Sequence, residues 1–133
     1  MAEEPLHVDL VAADRTVWSG EASMVVTRTT DGDIGILPDH APLLGVLVNG
    51  AVRIKVEGGD DVSAAVHGGF VSVADNKVAI LAEVAELASE IDVERARQAL
   101  ERAQQRLGDD EDTARGEIER NEARLRVHDG TAF

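Results

Sequence analysis

The apolar residues of this chain change their spacing once, near Ile91, and that change limits the possible folds more than any single motif. Before it, apolar and polar residues alternate. His7 and Asp9 separate Leu6, Val8 and Leu10, and Arg53 and Lys55 separate Val52, Ile54 and Val56. A period of two puts one strand face in a core and the other in water. After it, Val93, Ala96, Ala99, Leu100, Ala103 and Leu107 fall on one stripe of a helix. The expected fold class is therefore β + α. An N-terminal antiparallel β-sandwich occupies residues 1–87, and a C-terminal α-helical two-helix hairpin occupies 88–133. The 133 residues suffice for one full core, or for a small domain with an appendage.

Turn chemistry divides the first part. Asn49-Gly50 lies between LLGVLV and AVRIKV, and Asn-Gly tolerates positive φ at both centres of a tight turn, so it predicts a hairpin. Glu57-Gly58-Gly59-Asp60 and Asp75-Asn76-Lys77 are further turn signals, delimiting VSAAV, FVSVA and VAILAEV as strands. Trp18, Phe70 and Phe133 are the only aromatic residues, so the core must be built from Val, Ile, Leu and Ala. That suits a thin sandwich better than a wide barrel.

In the second part, Asp92 is suited to cap the first helix and Gly108 to end it. The acidic run DDED reads as a loop, with Asp112 or Thr113 capping a second helix whose stripe is Ala114, Ile118 and Leu125. Asn121 interrupts that stripe, and Gly116 inside the helix costs about 1 kcal/mol relative to Ala. The seam between the helices is thin and rich in alanine. Helices of this length are marginal alone, so the tail is expected to lean on the sandwich or on a partner.

Net charge is −13, which argues against binding nucleic acid, since affinity there comes from cations that neutralise phosphates. Residues 1–91 hold 5 Lys+Arg against 15 Asp+Glu; residues 92–133 hold 8 against 11, and all eight cations there are arginines. Arginine forks suit carboxylates and phosphates. Without cysteine there is no disulfide or thiolate chemistry. MAEEPLHVDL lacks the features of a secretory signal, and no run is long enough to span a bilayer, so the expected location is the cytosol or the cytosolic face of a larger structure.

GDIGILPDHAPLL, Gly32 to Leu44, stands out as neither a regular strand nor a helix. Asp31, Asp33 and Asp39 are close together, but Pro42 holds the position where a calcium loop needs its glutamate. His7, His40, His67 and His128 do not pair at zinc-ligand spacing. No G-x-S-x-G elbow, Walker loop or G-x-G-x-x-G occurs, and His67-Gly68-Gly69 reads as a turn rather than an oxyanion hole. The chain reads as non-enzymatic. What remains is a rigid segment: Pro38 and Pro42 fix their own φ and push Leu37 and Ala41 toward extended backbone, while Gly32 and Gly35 permit close approach. Such a segment loses little entropy on docking, which suits a binding surface.

GDIGILPDHAPLL resembles a segment of the epsilon subunit of bacterial rotary ATP synthases. The resemblance continues through AVHGGFVSVADNKVAILAEVAE, SEIDVERARQALERAQQRL and ARLRV, covering nearly the whole chain in order. It implies an N-terminal β-sandwich that forms part of the rotor, between the gamma subunit and the c-ring. Asp33, Gly35, Pro38, His40, Pro42 and Leu43 are then the expected partner-binding positions. The resemblance further implies a non-catalytic subunit at the cytoplasmic face of the cell membrane, touching the membrane only through the complex. It couples proton transport to ATP synthesis. Its helical tail folds down on the sandwich, or extends along gamma into the catalytic alpha/beta head and restrains hydrolysis. No cofactor is required.

Some members of that family bind ATP as a regulatory ligand on the folded hairpin. The resemblance assigns Ile91, Asp92, Arg95 and Ala96 to the I/L-D-x-x-R-A motif, Glu86 to an adenine-contacting position, and Arg120 and Arg124 to the distal arginines. The alternative is a free-standing ATP-sensing module of sandwich and hairpin, with no rotor partner.

Overall fold

The computed structural model describes residues 4–129. Nine strands build the first part: β1 (Leu6–Val11), β2 (Thr16–Ala22), β3 (Met24–Thr29), β4 (Gly32–Ile36), β5 (Leu43–Lys55), β6 (Val62–His67), β7 (Phe70–Ala74), β8 (Lys77–Leu81) and β9 (Val84–Leu87). They form two layers. One sheet runs β2-β1-β8-β7-β5 and the other β4-β3-β5-β6-β9. The expected antiparallel sandwich is present, with one parallel pair, β1 with β8.

The alternation read from the sequence sets the layers. Leu6, Val8 and Leu10 of β1 are fully buried, as are Val52 and Ile54 of β5. Val25, Ile36, Val71 and Ile80 fill the space between the sheets, and the largest buried side chains are all aliphatic. Tight packing of such groups dominates the stability of the layer pair.

Asn49-Gly50 makes no hairpin. It lies inside β5, one continuous strand of 13 residues. Leu43–Val46 of β5 pair with β7 in the first sheet, while Gly50–Ile54 pair with β6 in the second. The dipeptide therefore marks where the strand passes between the layers. Likewise VAILAEV is not one strand, since β8 ends at Leu81 and β9 starts at Val84 on the opposite sheet.

Asp75-Asn76, by contrast, is a two-residue turn between β7 and β8, with φ of 51° and 62°. Both residues tolerate the left-handed region. The Asn76 carbonyl also accepts from the His7 N–H, and its side-chain Oδ1 accepts from the Asp39 N–H at 2.6 Å. Asn76→Gly should cost about 1 kcal/mol, for the two exposed side-chain bonds lost to Asp39. Asn76→Ala should cost about 2 kcal/mol, because backbone strain adds to that loss. Urea unfolding of the two variants measures the difference.

A 3-10 turn at Ala88–Glu90 leads into α1 (Val93–Gln105), and α2 (Glu111–Asp129) folds back against it. Asp92 caps α1, its Oδ1 accepting from the Arg95 N–H at 3.1 Å. α1 ends before Gly108, with Arg106 at its C-cap. α2 begins at Glu111, so Asp112 and Thr113 lie inside its first turn rather than capping it; the Asp110 carbonyl accepts from Ala114 N–H. The helix seam is made chiefly by small residues: Ala96, Ala103 and Ala114 are buried, whereas Leu107 is exposed. The hairpin does lean on the sandwich, with α2 lying on β5 and β6. The apolar part of that contact is small: Ala51, Ala65, Ile91 and Val127, with Ala88 beside them.

Candidate functional site

Two regions gather the residues singled out in the sequence. The first is the sandwich edge at Gly32–Leu44. Gly32–Ile36 is regular strand after all, and so is the chain from Leu43 onward; only Leu37–Pro42 is a loop. Asp33 faces Arg28 across β3 and β4 and accepts from its Nε at 2.7 Å. Gly35 leaves room for Met24, whose Cε would lie 2.9 Å from an added Cβ. Asp39 holds a φ of 67° and is clasped by Asn76. His40 Nδ1 lies 2.7 Å from the Ala41 carbonyl oxygen. Leu43 packs toward the core, whereas Leu44 is 74% exposed and Leu37 54%.

The exposed face continues beyond the loop. Val46 pairs with Phe70, and Phe70 with Leu81, so three exposed apolar side chains stand in a row across β5, β7 and β8. Sequence reasoning missed this row and Leu44 too, because strand alternation alone does not say which face is covered.

The second region is a cavity of about 580 Å³ between the hairpin and β9. Glu86 comes from β9, Asp92, Arg95 and Ala96 from the start of α1, and Arg120 and Arg124 from α2. Six of the seven residues suggested for a nucleotide thus line one cavity. Ile91 does not; it is buried in the seam with Ala51, Ala65 and Val127. Arg102, Glu117, Glu90 and Asn121 complete the polar wall.

Charges in the cavity are already partly engaged. Glu86 Oε1 accepts from Arg124 Nε at 2.5 Å, and Asn121 Oδ1 accepts from Arg124 Nη1 at 2.9 Å. Asn121 is buried and anchored in turn, donating to the Glu117 carbonyl at 2.8 Å. The interruption of the apolar stripe at Asn121 therefore positions an arginine. Glu90 receives a two-pronged bond from Arg15 at 2.9 Å, and that guanidinium, with the Leu87 N–H, holds its carboxyl below the usual carboxylate range. Gly116 faces Arg120, whose Nη1 would lie 3.2 Å from an added Cβ; the glycine gives the guanidinium room. Chemically, the cavity sets four arginines against four carboxylates, Glu86, Glu90, Asp92 and Glu117, so a phosphate-bearing small molecule can enter only by displacing carboxylates such as Glu86 from the guanidinium groups.

The family model for the ATP synthase delta/epsilon chain β-sandwich domain matches residues 5–88. The model for the long α-helix domain of the same chains matches residues 89–128. The chain belongs to the ATP synthase delta/epsilon chain family. Among relatives, an ATP synthase epsilon chain of Streptomyces avermitilis is 66% identical over 103 residues, covering 77% of this chain and 82% of its own. One from Mycolicibacterium vanbaalenii is 54% identical over 115 residues, covering 86% of this chain and 88% of its own. In fold, the chain is similar to a chain in a solved Euglena gracilis mitochondrial ATP synthase, OSCP/F1/c-ring, with a TM-score of 0.74 at 23% identity. That match covers 97% of this chain and 81% of the other. For a family member, both halves of the expected architecture are present. Among the described residues no helix is long and apolar enough to cross a membrane.

Proposed function

We propose that this chain is a non-catalytic subunit of the central stalk of ATP synthase. Its sandwich joins the gamma subunit and the c-ring and couples rotation to ATP synthesis, so the chain sits at the cytoplasmic face of the membrane as part of the complex. Its hairpin regulates hydrolysis by leaving the sandwich for the alpha/beta head, and ATP in the cavity holds it down. The observation that carries the reading is the extent of the likeness: relatives named ATP synthase epsilon chain match at 66% identity over 77% of the chain.

Two features of the molecule support it. The row Val46, Phe70 and Leu81, with Leu44 beside it, leaves apolar groups in water unless a partner covers them. A free-standing ATP sensor has no use for such a row. The hairpin, for its part, rests on a small apolar seam of Ala51, Ala65, Ile91 and Val127 and a few polar contacts, among them Arg124 with Glu86 and Asn49 Nδ2 donating to Glu119 at 3.3 Å. A contact of that kind separates at modest cost, as a two-state element requires.

The test is assembly. Phe70→Asp should cut co-purification with gamma and the c-ring by about tenfold or more, since it buries a charge in an apolar contact. The triple variant Asp33→Ala/His40→Ala/Leu43→Ala should lower ATP-driven proton pumping while hydrolysis continues. Unchanged recovery of the complex with Phe70→Asp, together with unchanged pumping by the triple variant, would sink the rotor assignment.

A further inference from the structure

His67 closes β6, and its side chain is only 4% exposed. Strand alternation tells which side it faces. Ala64 and Val66 point into the sandwich core, whereas Ala65 belongs to the seam beneath the hairpin. His67 shares the face of Ala65. Its burial is therefore due to the hairpin and not to the sandwich interior. Neither ring nitrogen has a hydrogen-bond partner among the described residues. Glu86 Oε1 is 3.8 Å from Nε2, too far for a hydrogen bond, and that oxygen is already held by Arg124. The ionisable groups acting on the ring are Glu86 from β9 and Arg124 and Arg120 from α2.

We infer that His67 makes docking of the hairpin proton-sensitive: the docked state shelters a neutral imidazole, and acidification favours the lifted state. The inference rests on the reading of the hairpin as a detachable element. Its physical basis is that a cation under α2 would be buried beside two guanidinium groups, with one carboxylate already committed elsewhere. Burial, then Arg124, and also Arg120, outweigh Glu86 and push the ring down to about 4 from the ordinary 6.5. Lifting the hairpin exposes the ring and restores ordinary behaviour. The sign follows: with the docked value depressed, the stabilisation is complete above about pH 6.5 and is lost as pH falls toward about 4. Between pH 7.5 and 5.5 the lifted-to-docked ratio should rise about tenfold.

The chain has no cysteine, so two can be introduced and labelled at exposed positions, Asp60→Cys beyond β5 and Glu122→Cys on α2. Single-molecule energy transfer in the full chain then counts docked and lifted molecules. The expected result is the tenfold rise on acidification, abolished by His67→Gln. The ring itself, followed by proton NMR in the parent protein, should remain untitrated at pH 5.5; titration near 6.5 in the docked state overturns the inference even where His67→Gln folds poorly. Two populations with the same ratio at both pH values, or a pH response retained in His67→Gln, overturn it and leave the detachable hairpin standing. A single docked population throughout overturns both.

Discussion

Gly69→Ala should lower the melting temperature by about 10 °C or more, the largest stability loss expected from any single methyl added to this chain. Gly69 holds a φ of +113°, and a Cβ there would lie 1.9 Å from the Leu81 carbonyl oxygen and 2.8 Å from Ala82 Cα. These are backbone atoms at the end of β8 and cannot rotate away. The Gly69 carbonyl also accepts from the Leu47 N–H, so any shift disturbs β5 as well. Conformational strain of about 1–3 kcal/mol and a forced backbone displacement of similar size add to roughly 2–6 kcal/mol. Gly32→Ala is the control. Its φ is +114°, but nothing lies within 4 Å of an added Cβ, so only the same strain applies, about 1–3 kcal/mol. Equal losses for the two variants, measured by calorimetric unfolding, would show that close approach at Gly69 is not what constrains it.

Titrating the protein with ATP should give saturable heat that Arg120→Ala/Arg124→Ala removes. Each arginine lost from a phosphate contact should weaken binding about tenfold or more, so the pair should lower affinity by roughly 100-fold. The cavity adds a condition: Arg124 is held by Glu86 at 2.5 Å and by Asn121 at 2.9 Å, so a polyanion must compete for it. Asn121→Ala removes one of these two competitors and should therefore strengthen binding while leaving every arginine in place. Absence of heat with the parent protein at millimolar ATP returns Asp92 to a helix cap and Arg95 to a surface charge. The hairpin would then answer to rotor state instead.

How far the sequence reveals this molecule depends on whether the deciding interaction is local. Asp75-Asn76 was legible as a turn because its two positive φ values are a property of those residues alone. Asn49-Gly50 carries the same chemistry and is strand, because β5 finds hydrogen-bond partners in both sheets on either side of it. No local rule reports those partners. The helix stripe was legible as a period, but not in its depth: Ala96 and Ala103 are buried, and Leu107 is not. In the cavity, Asp92 with Arg95, and Arg120 with Arg124, follow from spacing within a helix. Two features do not follow from spacing: Glu86 reaching Arg124 across 38 positions, and His67 lying beneath them. Both depend on the pairing of β6 with β9, which sets Ala65 opposite Glu86 and His67 opposite Val84.

β5 has a mechanical consequence. Its first residue adjoins the Leu37–Pro42 loop, and it runs unbroken to Lys55, bonded to β7 in one layer and to β3 and β6 in the other. Antiparallel hydrogen bonds lie perpendicular to the strand. A pull on the loop directed along β5 therefore loads many bonds together in shear, where a pull across the sheet would peel them one at a time. The strand acts as a tie rod that passes tension from the loop into both layers at once, so a tug at the edge moves the sandwich as one stiff piece.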